Sequence, residues 1–355
     1  MFCLLGLPDV SVQAETLRIA TYNAELTRDG PGLLLRDILK GKDPQLIAVR
    51  DVVAQVAPDI LVLQNVDFDH GLEALCALQA WLAAGGVDYP HIFALPPNSG
   101  VPTGLDMDGD GRFGRPQDAQ GFGRFYGEGG MALLSRYPIE PAGVQDYSTM
   151  LWADLPGALL PETDGRPFPS ADVHAVQRLS SVAHWVVPVQ LPGLTLTLLA
   201  FHAGPAVFDG PEDRNGKRNH DELIFWQHYL DGAFGSAPDA SFVLLGDANL
   251  DPVDGDGLKS AILALLDDPR LQDPRPMRPD GPLTDSPGQS GDPRLDTVAW
   301  RSPEPGHRRV DYVLPSVDLT VVQSGVHWPV EGDLAADTAQ QASRHHVVWV
   351  DLRVE

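Results

Sequence analysis

Several carboxylate, amide and imidazole side chains follow short apolar segments, where a strand would end at the edge of a sheet. The segment Leu244–Asn249 reads Leu-Leu-Gly-Asp-Ala-Asn. Residues i and i+2 of a strand point to the same side, so Asp247 and Asn249 would project together. A carboxylate and an amide oxygen placed there could hold a hard cation and orient a nucleophilic water. The alternative is an Asx turn that only ends the strand.

A second group of residues could manage a proton. Asp311 interrupts the otherwise apolar segment Val310–Leu314, where an unpaired carboxylate would be costly, so it needs a partner. His345 precedes the apolar C-terminal segment and is a candidate partner, because an Asp–His pair fixes the imidazole tautomer and raises its basicity. His202 ends another apolar segment. With the Gly-Asp-x-Asn segment, these residues supply the base, the acid or oxyanion donor and the metal ligands that phosphoester hydrolysis needs.

The elements that must position these residues alternate along the chain, which predicts an α/β fold. No repeat and no break in composition marks a boundary, so residues 15–355 are predicted to form a single catalytic domain with a long Gly/Asp/Pro/Arg-rich insertion at 98–130. The predicted strands are Leu17–Asn23, Ile60–Val66, Met131–Ser135, Val182–Val189, Leu194–His202, Phe242–Leu245, Val310–Leu314, Leu319–Gln323 and Val347–Val354. The predicted helices are Leu33–Leu39, Ile47–Val56, Gly71–Ala84, His220–Tyr229 and Lys259–Leu266.

Seven segments occur in an order typical of a known superfamily. They are Arg18–Asn23, Pro58–Gln64, Gly130–Ile139, Phe201–Ala203, Gly246–Asn249, Val310–Tyr312 and Ser343–His345. On these segments the chain resembles the endonuclease/exonuclease/phosphatase superfamily, which includes deoxyribonuclease I, apurinic endonucleases, sphingomyelinases and inositol phosphatases. The resemblance implies a four-layer sandwich of two mixed β-sheets flanked by helices, as in deoxyribonuclease I, and hydrolysis of a phosphoester assisted by a divalent metal.

The resemblance also implies a role for each candidate residue. His345 would be the general base or the transition-state partner, with Asp311 orienting it. Asp247 and Asn249 would position the nucleophile and a metal ion, which could be Mg²⁺, Mn²⁺ or Ca²⁺. His202 would stabilise or protonate the phosphoryl oxygens.

Two positions depart from the superfamily pattern, and both bear on the metal. The second strand normally ends in Gln-Glu, whose Glu is the principal metal ligand, but this chain has Asn65 there. The last motif is normally Ser-Asp-His, whose Asp also reaches the metal, but this chain has Arg344 there. Asn23, at the end of the first strand, would still complete the floor of the site.

Three accounts of these departures are open. In the first, Asp67 takes over as a ligand beside Asn65 and Asn23, because it lies two residues past Asn65, on the same side of an extended strand. In the second, Arg344 replaces one cation and clamps the phosphate. In the third, the site is degenerate and the protein only binds. The intact Asp–His pair favours the first account, alone or combined with the second.

Two acidic loops could hold a structural calcium ion. Asp106, Asp108 and Asp110 occupy positions 1, 3 and 5 of a loop with Gly at position 6, as in an EF-hand, but the usual Glu at position 12 is missing. We predict a structural Ca²⁺ that fixes the insertion, the alternative being a solvated acidic turn. Asp254 and Asp256, just after the Gly-Asp-x-Asn segment, form a weaker candidate.

The charge of the chain limits its substrates. Acidic residues outnumber basic ones by 49 to 25, for a formal net charge of −24, so a broad face for duplex nucleic acid is not expected. A small phosphomonoester or phosphodiester is the predicted substrate, and a secreted nuclease is the alternative. Arg178 and His184 could line the phosphate pocket, or they could be a surface arginine and part of an aromatic strand pair.

The N-terminus and the two cysteines bear on where the protein works. Residues 1–14 contain a short apolar segment and end in Val-Gln-Ala, so we interpret them as a shortened leader and the protein as periplasmic or secreted. The alternative is a cytoplasmic protein with a frayed N-terminus. Cys3 and Cys76 cannot form a disulfide framework, and Cys76 is expected to be buried in a helix. No later segment is long enough to span a bilayer, and the oligomeric state is left open.

Overall fold

The computed structural model describes residues 15–235, 237–238, 241–279, 288–300 and 305–354. The strands are β1 (Glu15–Leu26), β2 (Ile60–Val66), β3 (His91–Phe93), β4 (Gly130–Ser135), β5 (Gln145–Asp146), β6 (Glu162–Thr163), β7 (Arg166–Pro167), β8 (Ala183–Leu191), β9 (Leu194–His202), β10 (Phe242–Asp247), β11 (Val298–Ala299), β12 (His307–Arg308), β13 (Asp311–Pro315), β14 (Thr320–His327) and β15 (Val347–Val354). The helices are α1 (Leu33–Lys40), α2 (Pro44–Val56), α3 (Glu73–Ala84), α4 (Ala171–His174), α5 (Arg214–Leu230), α6 (Ser260–Leu266) and α7 (Leu334–Ala342).

Two large mixed sheets contain most of the strands. The first has the order β14-β15-β1-β2-β4-β3, and the second has the order β13-β10-β9-β8-β5. Each sheet contains one parallel pair, β1 with β2 and β9 with β10. A parallel pair needs a crossover connection, which α1 and α2 provide in the first sheet and α5 in the second. The carboxyl ends of each parallel pair therefore meet at one edge of its sheet.

The inner faces of the two sheets pack against each other and form the central core. Alternate aliphatic residues are fully buried there, for example Ile19 and Val62 from the first sheet and Val187 and Val243 from the second. Removal of these side chains from water is the main force that holds the sheets face to face.

Helices cover both outer faces. Residues of α1, α2, α3 and α7 pack on the first sheet, and residues of α5 and α6 pack on the second. The order of layers is therefore helices, sheet, sheet, helices. This confirms the predicted four-layer sandwich of two mixed sheets flanked by helices.

Several sequence predictions need correction. Helix α5 begins at Arg214, six residues earlier than the predicted start at His220, because polar residues of its first turns are buried against loops. Cys76 is exposed rather than buried, since α3 packs through other residues such as Leu75 and Leu78. The predicted leader, residues 1–14, lies outside the described residues. Within the described part of the chain, no helix is long and apolar enough to cross a membrane.

Candidate active site

The candidate residues of both sheets converge at one edge of the sandwich. In the second sheet, Asp247 at the end of β10 is in register with His202 at the end of β9 and with Asp311 at the start of β13. The first sheet contributes Asn23, whose Nδ2 lies 2.8 Å from Asp247 Oδ2 and 3.4 Å from Nε2 of His345. The structure thus brings together five residues that the sequence placed at separate strand ends.

His345 and Asp311 form a buried hydrogen-bonded pair. Nδ1 of His345 lies 2.9 Å from Oδ2 of Asp311, which also accepts a hydrogen bond from the Thr297 hydroxyl at 2.7 Å. Burial alone would lower the pKa of His345, but the carboxylates of Asp311 and Asp247 outweigh it and raise the pKa to about 9. His345 is therefore protonated at neutral pH. Its Nδ1 is hydrogen-bonded to Asp311, and its Nε2 faces Asn23.

Asp247 is fully buried between these groups. Its Oδ2 accepts from Asn23, and its Oδ1 accepts the backbone N–H of Asn249 at 2.8 Å. Burial raises the pKa of Asp247, the nearby charge of Asp311 raises it further, and the result is about 7 despite the opposing effect of His345. A carboxylate with this pKa can exchange a proton near neutral pH.

His202 and Asn249 complete the edge. Burial lowers the pKa of His202 to about 3, and the positive charge of His345 adds to this effect, so His202 is neutral. Asn249 has a left-handed backbone with φ of 48°, and its Nδ2 donates to the Ala203 carbonyl at 2.9 Å. The backbone N–H of Asn249 donates to Asp247 and closes an Asx turn. The Asx turn that the sequence offered as an alternative is therefore present, and Asp247 still lies beside His202 and Asp311.

The structure overturns the geometric basis for Asp67 as a replacement ligand. Asn65 has a left-handed backbone with φ of 55°, and the register of β2 shifts there, so Asn65 and Asp67 do not belong to one extended strand. Asp67 instead accepts backbone N–H groups from Arg28 at 2.8 Å and Gly129 at 3.1 Å. Asn65 does lie in the site, where its Nδ2 donates to Asn23 Oδ1 at 2.9 Å.

Glu25 is a site residue that the sequence reasoning missed. Its carboxylate accepts hydrogen bonds from the backbone N–H of Arg344 at 2.9 Å and from Nε of Arg344 at 2.8 Å, and it also contacts Nη2 of this guanidinium. Burial would raise the pKa of Glu25, but Arg344 outweighs it and the pKa is lowered. The available signal was the spacing, since Glu25 lies two residues after Asn23 on the first strand.

The two residues predicted to line the phosphate pocket, Arg178 and His184, lie in different environments. Arg178 lines a cleft of about 480 Å³ together with Tyr126 and Asp146, and its Nη1 donates to Asn98 Oδ1 at 2.7 Å. The described residues of the catalytic edge do not line this cleft, so a contact of Arg178 with substrate stays a prediction. His184, in contrast, is buried in the core, where it stacks on an indole and its Nε2 lies 2.9 Å from a helix carbonyl. Burial lowers the pKa of His184 to about 4. The prediction that His184 contacts substrate is therefore wrong.

The ligand set predicted for structural calcium also changes. Asp110 pairs with Arg115 at 2.6 Å, and Asp118 takes its place, since carboxylate oxygens of Asp106, Asp108 and Asp118 all lie within 4.8 Å of one another. These oxygens already accept backbone N–H groups of the loop, such as those of residues 109 and 111 on Asp106. The calcium ion itself stays a prediction.

The weaker calcium candidate is not supported by the geometry. Asp254 uses both carboxylate oxygens to accept the backbone N–H groups of Ser290 and Gly291, each at 2.8 Å. Asp256 is exposed and, among the described residues, is not part of an acidic group that could hold an ion. Asp254 therefore fastens one loop to another.

The chemistry of the donors in the site suits a hard cation. Asp247, Asp311 and His345 offer ligand atoms within 4.8 Å of one another, although Asp311 and His345 are already bonded to each other. Among the described residues, the buried Oδ1 atom of Asp311 has no hydrogen-bond partner, so its negative charge is incompletely compensated there. Asp247 is the carboxylate best suited to hold Mg²⁺, Mn²⁺ or Ca²⁺, whereas Asn23 turns its Nδ2 towards Asp247 and its amide oxygen towards Asn65.

The fold and the arrangement of the site are typical of phosphoester hydrolases. The sequence matches the model of the endonuclease/exonuclease/phosphatase family over residues 20–345, so the chain belongs to this family. The family comprises endonucleases, exonucleases and phosphatases, which are in general hydrolases of phosphoester bonds. A comparison with curated proteins gives no significant match.

Solved structures of family members share the fold at low sequence identity. An endonuclease/exonuclease/phosphatase protein from Beutenbergia cavernae is 21% identical with a TM-score of 0.54, over 96% of this chain and 72% of that chain. One from Leptotrichia buccalis is 16% identical with a TM-score of 0.51, over 95% and 100%. A 3′-5′ exonuclease from Neisseria meningitidis is 15% identical with a TM-score of 0.50, over 95% and 100%.

Proposed function

We propose that the protein hydrolyses a small phosphomonoester or phosphodiester, assisted by a divalent cation. The observation that carries the proposal is the convergence of a buried His345–Asp311 pair with Asp247 and His202 at one edge of the sandwich. Such a group can hold a phosphoryl unit between a proton donor and a proton acceptor. A site that only bound its ligand would have no need of one protonated and one neutral histidine beside the same carboxylate.

The charges assign a role to each group. His345 is protonated, so it would donate a proton from Nε2 to the leaving oxygen while Asp311 holds Nδ1. Of the two roles that the sequence resemblance implied for His345, general base or transition-state partner, only the second is compatible with a protonated imidazole. Asp247 would orient the attacking water and accept its proton, because a bound cation would lower the pKa of that water. His202 is neutral and would donate a hydrogen bond to a phosphoryl oxygen.

A cation would be held mainly by Asp247, with the amide oxygen of Asn249 and, after rotation of its side-chain amide, that of Asn23 as further ligands. When bound, it would neutralise negative charge on the phosphoryl group as that charge develops. Asn65 is placed to support Asn23 through their side-chain hydrogen bond.

Arg344 is the proposed phosphate-binding cation at the rim of the site. Its side chain is 60% exposed, and Glu25 holds it through Nε and Nη2, which leaves Nη1 free of that ion pair. A guanidinium oriented by a carboxylate can bind phosphate with little further loss of entropy. In most of the superfamily, the two carboxylates that this chain lacks bind a metal ion. Arg344 would partly replace the positive charge of that ion.

The substrate is proposed to be small, and the protein to act in the periplasm or outside the cell. The net charge of −24 opposes a duplex polyanion, while one phosphate group is tolerated beside a bound cation. Export rests on residues 1–14, and N-terminal sequencing of the protein from its native cell tests it. A mature chain that starts near residue 15 supports export, whereas an intact Met1 contradicts it.

The proposed activity is tested on chelator-treated protein with a mononucleotide, bis-p-nitrophenyl phosphate and plasmid DNA, with Mg²⁺, Mn²⁺ or Ca²⁺ added back. We expect at least one cation to restore turnover of a small ester and to leave the plasmid intact. Nicking of the plasmid would identify a nuclease instead. No turnover of any substrate would favour a protein that only binds.

A further inference from the structure

Ala203 and Gly204 follow His202 in the sequence. The backbone N–H and carbonyl groups of both residues are all hydrogen-bonded. The N–H of Ala203 donates to the Asp247 carbonyl at 2.9 Å, and its carbonyl accepts from Asn249 Nδ2 at 2.9 Å. These two bonds come from the neighbouring strand end. The two bonds at Gly204 come from elsewhere, namely from the side chains of helix α5.

Helix α5 reaches this backbone through Asn219 and Glu222, both of which are fully buried. Glu222 Oε2 accepts the N–H of Gly204 at 2.8 Å. Asn219 Nδ2 donates to the carbonyl of Gly204 at 2.7 Å and to the carbonyl of Ala248 at 2.8 Å. One amide group thus bridges the loop that follows β9 and the turn that follows β10.

The same face of α5 also fixes the segment that leads into β8. Glu222 accepts the backbone N–H of Ser181 and, at 3.2 Å, its hydroxyl. Arg218, one turn earlier, donates to the carbonyls of residues 120, 178, 179 and 180. A Cβ atom on Gly204 would lie 2.5 Å from Ser181 Oγ, so no side chain fits between these segments. The loops around His202 are therefore packed onto a polar helix face.

Burying an amide and a carboxylate is costly, and it is offset only where each finds specific partners. The partners of Asn219 and Glu222 all belong to loops at the catalytic edge. Gln227, on the same helix, gives the contrast, because its Nε2 donates at 3.1 Å to the carbonyl of Ala264 at the next helix, away from that edge.

We propose that Asn219 and Glu222 are positioning residues for the hydrolysis: they set the spacing between His202 and Asn249, although neither touches the reacting atoms. This inference rests on the proposed function of the site. A displacement of about 1 Å in a catalytic group can reduce turnover by about 100-fold, so a change at this bridge would be visible in kcat.

Asn219→Asp is the first test, because it keeps the shape of the side chain and removes the donor that faces two carbonyls. On bis-p-nitrophenyl phosphate we expect kcat to fall by about 10- to 100-fold while KM changes by less than about threefold. Gln227→Glu is the matched control, because it also removes a side-chain amide donor from α5. That donor faces the carbonyl of Ala264 on α6. It should lower the melting temperature without lowering kcat. An equal loss of kcat in both variants would overturn the proposal.

A second measurement does not depend on turnover. In protein with ¹⁵N-labelled histidine, the ring signals of His202, assigned with His202→Asn, should shift in Asn219→Asp and stay in place in Gln227→Glu. If the wild type has no activity but these shifts occur, the proposed function fails, while the finding that Asn219 positions His202 stands. If Asn219→Asp does not fold, Glu222→Gln is the deciding variant, and unchanged His202 signals in that variant contradict the proposal.

Discussion

His202 and His345 approach the same carboxylate oxygen in different protonation states. Nε2 of His202 lies 3.6 Å, and Nδ1 of His345 lies 4.0 Å, from Oδ2 of Asp247. Burial dominates at His202 and lowers its pKa to about 3, whereas Asp311 and Asp247 overcome burial at His345 and raise its pKa to about 9. One imidazole is therefore a cation and the other is neutral across the physiological range, which divides the proton chemistry between them.

The first prediction concerns the pH dependence of the reaction. Because His345 must be protonated to act as an acid, kcat should fall as the pH rises through about 9. The check is a pH–rate profile on bis-p-nitrophenyl phosphate from pH 5 to 10. His345→Asn should lose about 10²- to 10⁴-fold in kcat and also lose the decline at high pH. A wild-type rate that still rises at pH 10 would show that His345 is not the acid.

The second prediction concerns His184 as a core residue. His184→Leu removes the hydrogen bond to the Glu222 carbonyl. The variant should lose about 1 to 3 kcal/mol of unfolding free energy and keep the KM of the wild type. The folded pKa of about 4 lies below the unfolded value of 6.5, so His184 contributes stability above pH 6.5 that is lost as the pH falls towards 4. Urea unfolding should therefore separate wild type and variant more at pH 7.5 than at pH 4.5. A raised KM with unchanged stability would return His184 to the substrate pocket.

The third prediction separates the structural role of Asp67 from metal binding. Its carboxylate accepts two backbone N–H groups, so Asp67→Asn should cost about 1 to 3 kcal/mol of unfolding free energy. Calorimetric titration with Mn²⁺ should give an unchanged affinity, whereas Asp247→Asn should weaken it. An affinity about tenfold weaker in Asp67→Asn would restore Asp67 as a ligand.

The fourth prediction concerns Arg344 and the carboxylate that holds it. Arg344→Ala should weaken competitive inhibition by inorganic phosphate by about tenfold, as expected for the loss of a charge-assisted hydrogen bond. Glu25→Gln should act in the same direction but less, since it only loosens the guanidinium. Arg136→Ala is the matched control, because Arg136 pairs with Asp59 at the opposite end of β2. Equal inhibition of all four proteins by phosphate would remove Arg344 from the substrate site.

The parts of the site that could be predicted from sequence are those that depend on strand periodicity. Asp247, His202 and Asp311 each follow or begin an apolar strand, and register then places them side by side. The pairing of Asp311 with His345 also follows from composition, since a carboxylate in an apolar strand requires a partner. The layers of the fold follow from the same alternation of apolar segments.

The parts that could not be predicted depend on local backbone geometry and on distant contacts. The left-handed backbone at Asn65 directs Asp67 away from the axis of β2. The pattern of apolar residues does not reveal this backbone conformation. The pairing of Glu25 with Arg344 joins residues more than 300 positions apart. The buried polar face of α5 lies in a mixed-charge segment that has the composition of a loop, so hydrophobic periodicity placed the start of the helix too late.

The central claim is that Asp247 and the His345–Asp311 pair carry out phosphoester hydrolysis. The most direct measurement is the rate of nitrophenolate release from bis-p-nitrophenyl phosphate at pH 7 with Mn²⁺, for wild type and Asp247→Asn prepared in parallel. We predict turnover by the wild type and a loss of at least about 100-fold in the folded variant. Equal rates in the two proteins would contradict the account.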